Sequence, residues 1–285
     1  MVRVAAALAL CFALGWGDAR AADEVDLALV LAVDVSRSMD PDEQELQRQG
    51  FVEAFRSPVV HDAIRGGMLG RITVTYMEWS GATDQKVVVP WTIIDGPGSA
   101  TAFADRLAEA PIGRIFQTSI SGAIDFSAKL LDQTGAEPLR KVIDVSGDGP
   151  NSSGRSPALA RDEAVAKGIT INGLPIMLKR PTGFGDMENL DHYYRDCVIG
   201  GAGAFLVPVR ERQTFSDAIK TKVLREIVGL PPQPATRFAD VPGPLEAAVP
   251  YAQAGGQAGS GVRLAQAEPR IDCASRQGRG FSYGP

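Results

Sequence analysis

The chain has few of the residues on which the commonest enzyme chemistries rest. Only 2 histidines occur in 285 residues, His61 and His192, and neither has neighbours that suggest a catalytic triad. Ser146 follows Asp144-Val145 instead of the Gly-x of a nucleophile elbow. There is no Walker-type Gly-Lys-Ser/Thr loop, and no Gly-x-Gly-x-x-Gly fingerprint follows a strand pattern. A basic cluster is missing as well, and the net charge is −5. Such a chain is poorly matched to nucleic acid or anionic lipid, and it attracts metal cations more readily than polyanions. No apolar run reaches the length of about 20 residues that a bilayer span requires.

The first residues read as a targeting segment. Arg3 is followed by the apolar stretch Val4 to Leu14 and then by the small-residue triplet Ala19-Arg20-Ala21. These are the n-region, h-region and A-x-A site of a secretory signal peptide, which puts residues 1–21 outside the fold. The mature chain is expected from about Ala22, periplasmic or secreted, and one charge unit more negative than the whole. Of the 3 cysteines, Cys11 leaves with this segment. Cys197 and Cys273 remain, either bridged, as an oxidising compartment permits, or as two unrelated thiols.

Short apolar runs then alternate with amphipathic stretches. Strands are expected at Asp26–Val33, Arg71–Trp79, Lys86–Pro90, Lys141–Val145, Thr170–Ile176 and Ala204–Val209. Several are apolar on both sides, the pattern of strands covered on both faces. Lys86–Pro90 is short, follows the turn Gly81-Ala82-Thr83-Asp84, and is expected to pair back on Arg71–Trp79 as an antiparallel edge. Helices are expected at Pro41–Phe55 with Asp40 as N-cap, Ala100–Ala110, Ser119–Leu131, Pro157–Lys167 and Thr214–Val228. The alternation predicts a doubly wound α/β domain over 22–230, with a mostly parallel central sheet, one short antiparallel edge strand and helices on both faces. Residues 231–285, opening with Pro231-Pro232-Gln233-Pro234, lack periodicity and read as a disordered tail rich in Pro, Gly and Ala.

The chemistry concentrates where the first apolar run stops. Leu27 to Val33 gives way to Asp34-Val35-Ser36-Arg37-Ser38, at the carboxyl end of a strand, where open α/β sheets bind their ligands. One carboxylate and two hydroxyls on alternate residues of a tight loop are hard oxygen ligands suited to Mg²⁺. Taken alone, the same pattern is also ordinary loop and N-cap chemistry. Thr118, before an amphipathic helix, adds a hydroxyl. Asp148, in Ser146-Gly147-Asp148-Gly149 after a buried-type strand, adds a second carboxylate. Glu78, near the end of the second strand, is a candidate for the rim of the site, the alternative being a surface or ion-paired carboxylate. Asp125 and Asp144 read as structural.

Asp-x-Ser-x-Ser, then a distant Thr, then a distant Asp, is similar to the metal-ion-dependent adhesion site of the von Willebrand factor A family. The resemblance covers about Val25 to Leu230. It places Asp34, Ser36 and Ser38 in the first loop, Thr118 in the second and Asp148 in the third. Tyr76-Met77-Glu78-Trp79-Ser80, Asp144 to Gly149 and Tyr194 to Gly201 resemble an uncharacterised bacterial exported branch of that family. One departure stands out: the family's third loop carries a Thr before its Asp-Gly, where this chain has Gly147. That affects hydrogen bonding around the carboxylate, not the carboxylate itself.

The resemblance implies a non-enzymatic binding module. It would hold Mg²⁺ (or Mn²⁺ or Ca²⁺) and use it to engage an acidic side chain on a partner protein. The alternatives are a domain whose metal site serves stability alone, and a metal-dependent hydrolase. An aspartyl-phosphate hydrolase needs a second Asp two residues after its nucleophile as acid and base, and here that position is Ser36.

Overall fold

The computed structural model describes residues 22–113, 117–179, 187–229, 270, 271 and 273. The signal-peptide reading of 1–21 lies outside them, as does the reading of 231–285 apart from Arg270, Ile271 and Cys273. Seven strands occur among the described residues: β1 (Asp23–Val25), β2 (Leu27–Asp34), β3 (Ile72–Trp79), β4 (Gln85–Ile94), β5 (Ala136–Pro138), β6 (Lys141–Gly147) and β7 (Ile169–Pro175). The seven α-helices are α1 (Pro41–Arg56), α2 (Pro58–Arg65), α3 (Pro97–Glu109), α4 (Ile120–Leu131), α5 (Pro157–Ala166), α6 (Leu190–Tyr193) and α7 (Phe215–Val228). A π-helical turn, Tyr194–Val198, continues α6.

The central sheet has the order β4-β3-β2-β6-β7. All its pairings are parallel except β3 with β4. Every residue of β2 is buried, which explains its unbroken apolar sequence. Its odd-numbered residues, Leu27, Leu29, Leu31 and Val33, face a core shared with α1, α2, α3 and α7. Its even-numbered residues, Ala28, Val30 and Ala32, face a second core shared with α4, α5, α6 and the π turn. Period-two alternation thus serves two apolar layers. The fold class expected from the sequence is the one observed.

The boundaries differ in instructive places. β4 is longer than Lys86–Pro90, running through Pro90 to Ile94, because register shifts opposite Tyr76 absorb a residue that cannot donate to a ladder. Ala204–Val209 does not form a full strand. It lies along β7 through isolated bridges, Gly173 with Leu206 and Ile176 with Val209. Helix α1 starts at the expected cap: Asp40 accepts from the Glu43 amide at 2.8 Å, and Glu43 Oε2 accepts from the Asp40 amide at 3.0 Å, a reciprocal capping box. Cys197, in the π turn, is bonded to Cys273, with Cα atoms 5.5 Å apart. The Ile271 amide donates to Asp196 Oδ2 at 2.9 Å, so these late residues lie against the second core. No described helix is long and apolar enough to cross a membrane.

Candidate metal centre

Strand order explains why residues so distant in sequence meet. β2 has β3 on one side and β6 on the other, so the connections leave its carboxyl end in opposite directions. That reversal opens a crevice where ligands bind in folds of this kind. Asp34 ends β2, and Asp148 follows the end of β6, its register partner.

A chain of hydrogen bonds links four of the five expected ligands. The Ser36 amide donates to Asp34 Oδ1 at 2.7 Å. The hydroxyls of Ser36 and Ser38 are 2.8 Å apart. Ser38 Oγ donates to Asp148 Oδ1 at 2.5 Å. Thr118 is tied by its backbone to the segment that follows Asp148: its carbonyl accepts from the Ser152 and Ser153 amides at 2.8 and 3.1 Å. Among the described residues its hydroxyl makes no hydrogen bond to the other four. Gln117, just before it, has a φ of 77°, a conformation that side chains other than glycine seldom adopt and that gathers at functional loops.

Among the described residues Glu78 makes no hydrogen bond to this cluster. It is 3% exposed, paired with Arg48, and accepts from the Gly113 amide at 3.0 Å. Arg48 also donates to the carbonyls of Leu107 and Ala110, both at 2.8 Å. The pair therefore ties the end of α3 to β3, and Glu78 offers no free carboxylate to a rim. A buried guanidinium with several acceptors captures it, as the ion-paired alternative requires. Asp125 pairs with Arg155 at 2.6 Å. Asp144 pairs with Lys222, also at 2.6 Å.

Electrostatics mark the cluster as short of positive charge. Burial, reinforced by the nearby Asp148 carboxylate, pushes Asp34 up to about 8. Asp148 is raised too, chiefly by burial. Asp34 Oδ2 is buried and has no hydrogen-bond partner among the described residues, an arrangement that ordinarily costs about 1–3 kcal/mol or more for a charged group. A protein cation reaches the cluster: Lys179 donates to the Ser38 carbonyl, and its Nζ lies 3.5 Å from Asp148 Oδ2 and 2.6 Å from Glu43 Oε2. Burial opposes the charge on Lys179, but Glu43 and Asp148 outweigh it and hold the ammonium above its ordinary value. None of the sequence patterns pointed to Lys179, which arrives from the segment after β7.

Two carboxylates and three hydroxyls match the hard-oxygen preference of Mg²⁺. The orphaned oxygen of Asp34 is an acceptor in need of a cation, so the residues fit a divalent ion. Among the described residues no three His, Cys, Asp or Glu side chains are grouped to hold a metal; the hydroxyls are integral to the donor set. Beside the cluster a cleft of about 190 Å³ is lined by Asp148, Met177, Lys179, Met187, Leu190 and Arg210, among others.

The fold and strand order are those seen in von Willebrand factor A domains. Two solved structures share the fold. A pilus adhesin, SpaC, from Lactobacillus rhamnosus GG in an open conformation aligns at 12% identity and a TM-score of 0.53, over 71% of this chain and 30% of that one. A von Willebrand factor type A protein from Catenulispora acidiphila aligns at 14% identity and a TM-score of 0.51, over 71% of this chain and 43% of that one. The chain thus matches less than half the length of either neighbour. No curated protein sequence matches it. By a family model matching residues 24–231, the chain belongs to DUF1194, described as a protein of unknown function.

Proposed function

We propose that this is an exported protein-binding module that engages its partner through a divalent cation, Mg²⁺ or in its place Mn²⁺ or Ca²⁺. Asp34, Ser36, Ser38, Thr118 and Asp148 would hold the ion. The observation that carries the reading is the buried, unpartnered Oδ2 of Asp34 within the linked set Asp34–Ser36–Ser38–Asp148. An ion bound there would supply Lewis acidity toward one further oxygen ligand. An acidic side chain on a partner protein provides that ligand in a charge-assisted contact. Specificity then falls to the surrounding surface, including the cleft lined by Lys179 and Arg210. The reading is of binding, not catalysis. The adhesin that shares the fold supports a binding role of this class. Export is supported by the Cys197–Cys273 bridge, since such bonds persist in oxidising compartments.

Calorimetric titration with Mg²⁺, Mn²⁺ and Ca²⁺, followed by partner capture from a periplasmic extract in Mg²⁺ or EDTA, tests the reading. Metal binding together with EDTA-sensitive capture is the expected result. Absence of any metal binding removes the proposal, and metal binding with EDTA-insensitive capture moves the partner surface elsewhere.

A further inference from the structure

Tyr194 opens the π-helical turn and is fully buried. Its ring occupies a slot kept open by two glycines on adjacent strands. A Cβ on Gly173 of β7 would lie 2.7 Å from the ring's Cδ1. A Cβ on Gly147 of β6 would lie 3.0 Å from the Tyr194 hydroxyl and 2.8 Å from Asp34 Oδ2. Separations below 3.0 Å do not occur between real side-chain atoms of this kind, so either substitution would displace its neighbours. Gly147 therefore lets a phenol and a carboxylate approach the same backbone atom from different elements.

Both groups that meet there are unsatisfied. The Tyr194 hydroxyl and Asp34 Oδ2 are buried and have no hydrogen-bond partner among the described residues. One is a donor and the other an acceptor. The preceding residue offers a contrast: Tyr193 accepts from the Asn151 amide at 3.2 Å, so two consecutive tyrosines reach the loop that carries Asp148. Insertions of π geometry in a helix recur at functional sites, and this one is anchored on several sides. Arg161 donates to the Asp196 carbonyl at 2.7 Å, the Ile199 amide to the Tyr194 carbonyl at 2.9 Å, and Cys197 is bonded to Cys273.

We propose that Tyr194 is a positioning residue of the metal centre. Its hydroxyl donates to Asp34 Oδ2 through one bridging water, while the Ser36 amide holds Oδ1. Held at both oxygens, the carboxylate keeps one orientation, and its remaining lone pairs stay directed at the space it shares with the Ser36, Ser38 and Asp148 oxygens. The inference rests on the metal-site reading above. It adds a residue outside the Asp-x-Ser-x-Ser pattern and gives a reason for Gly147 and Gly173.

Tyr194→Phe keeps the ring in its slot and removes only the hydroxyl. The full mature protein and this variant are titrated with Mg²⁺ and Mn²⁺ by calorimetry, and their thermal midpoints are measured in EDTA. The expected result is about a tenfold loss of affinity, the range in which partners of metal ligands act. The EDTA midpoint should stay close to the parent's, because the ring keeps its packing and a single hydrogen bond contributes little net stability. Unchanged affinity in a variant whose parent binds metal overturns the inference and leaves the metal site standing. A fall in the EDTA midpoint matching the fall in the metal-loaded one assigns Tyr194 to packing and also overturns it. A parent that binds neither ion refutes the metal-site reading, and the role of Tyr194 falls with it.

Discussion

Strand β6 carries one carboxylate at its middle, Asp144, and delivers another just past its end, Asp148; the two are treated in opposite ways. Asp144 sits with Glu226 around Lys222, all three about 1% exposed. The Lys222 ammonium lies 2.6 Å from Asp144 and 2.7 Å from Glu226, and Asn172 donates to Glu226 at 2.6 Å. There the chain supplies its own buried cation. At the end of the strand Asp34 and Asp148 share no buried cation among the described residues, and Lys179, 43% exposed, reaches Asp148, Glu43 and the Ser38 carbonyl. A carboxylate pair with an internal counter-ion is a structural joint between sheet and helix. A pair without one has room for an ion from solution. Charge balance, more than residue type, separates the two roles.

The contrast can be broken most sharply at its structural end. Lys222→Met leaves Asp144 and Glu226 buried without a cation, and unfolding in denaturant should show a loss of about 3–5 kcal/mol. Added Mg²⁺ should not restore it; a variant as stable as its parent would show that the joint contributes nothing. At the other end, Asp34→Ala should weaken Mg²⁺ binding by more than about a hundredfold, since even partners of ligands account for 10- to 100-fold. Its stability in EDTA should hold or rise, because a buried carboxyl with one oxygen left without a hydrogen-bond partner is gone. Equal metal affinity in variant and parent would reduce Asp34 to an ordinary loop residue.

Acidity sharpens the same comparison. A carboxyl raised to about 8 in the folded state binds its proton more tightly there than when unfolded. Its favourable contribution is complete below the unfolded value near 4 and is lost as pH rises toward 8. The metal-free protein should therefore lose thermal stability across that window, and Asp34→Asn should flatten the slope. The residual slope belongs to Asp148, Asp144 and Glu226, all raised chiefly by burial. A slope unaltered by Asp34→Asn would place the whole effect in those three groups. The smallest effect concerns Lys179. Lys179→Met removes a partly exposed ammonium that competes for Asp148, and Mg²⁺ affinity should rise by about two- to fivefold, the scale of an exposed ion pair of up to about 1 kcal/mol. A fall in affinity would instead make Lys179 a support of the site.

Legibility followed locality. Asp34, Ser36 and Ser38 could be read because they are consecutive in one loop after an apolar strand, and Asp148 because its strand and glycines announce a sharp turn. The Asp40–Glu43 cap could be read for the same reason. Glu78 illustrates the limit: nothing beside it in sequence announces Arg48, which comes from α1 on a neighbouring layer. The same holds for Lys179, Tyr194 and the choice between a bridge and free thiols at Cys197 and Cys273. Ala204–Val209 has the composition of a strand, yet it meets β7 only at isolated bridges, because pairing depends on alignment with a neighbour and not on composition.

By itself the sequence determined the layered α/β class, the long central strands with most of their helices, and the loop bearing the first carboxylate, because hydrophobic period and capping are local properties. The tertiary structure decided which carboxylates are neutralised from within. It set Lys222 against Asp144 and Arg48 against Glu78, and it brought the Tyr194 hydroxyl and the Asp34 carboxylate in on the same glycine, Gly147. Those pairings join residues tens of positions apart or more. Strand order, helix placement and the space left by glycines fix them, and none of these can be read from a residue's sequence neighbours.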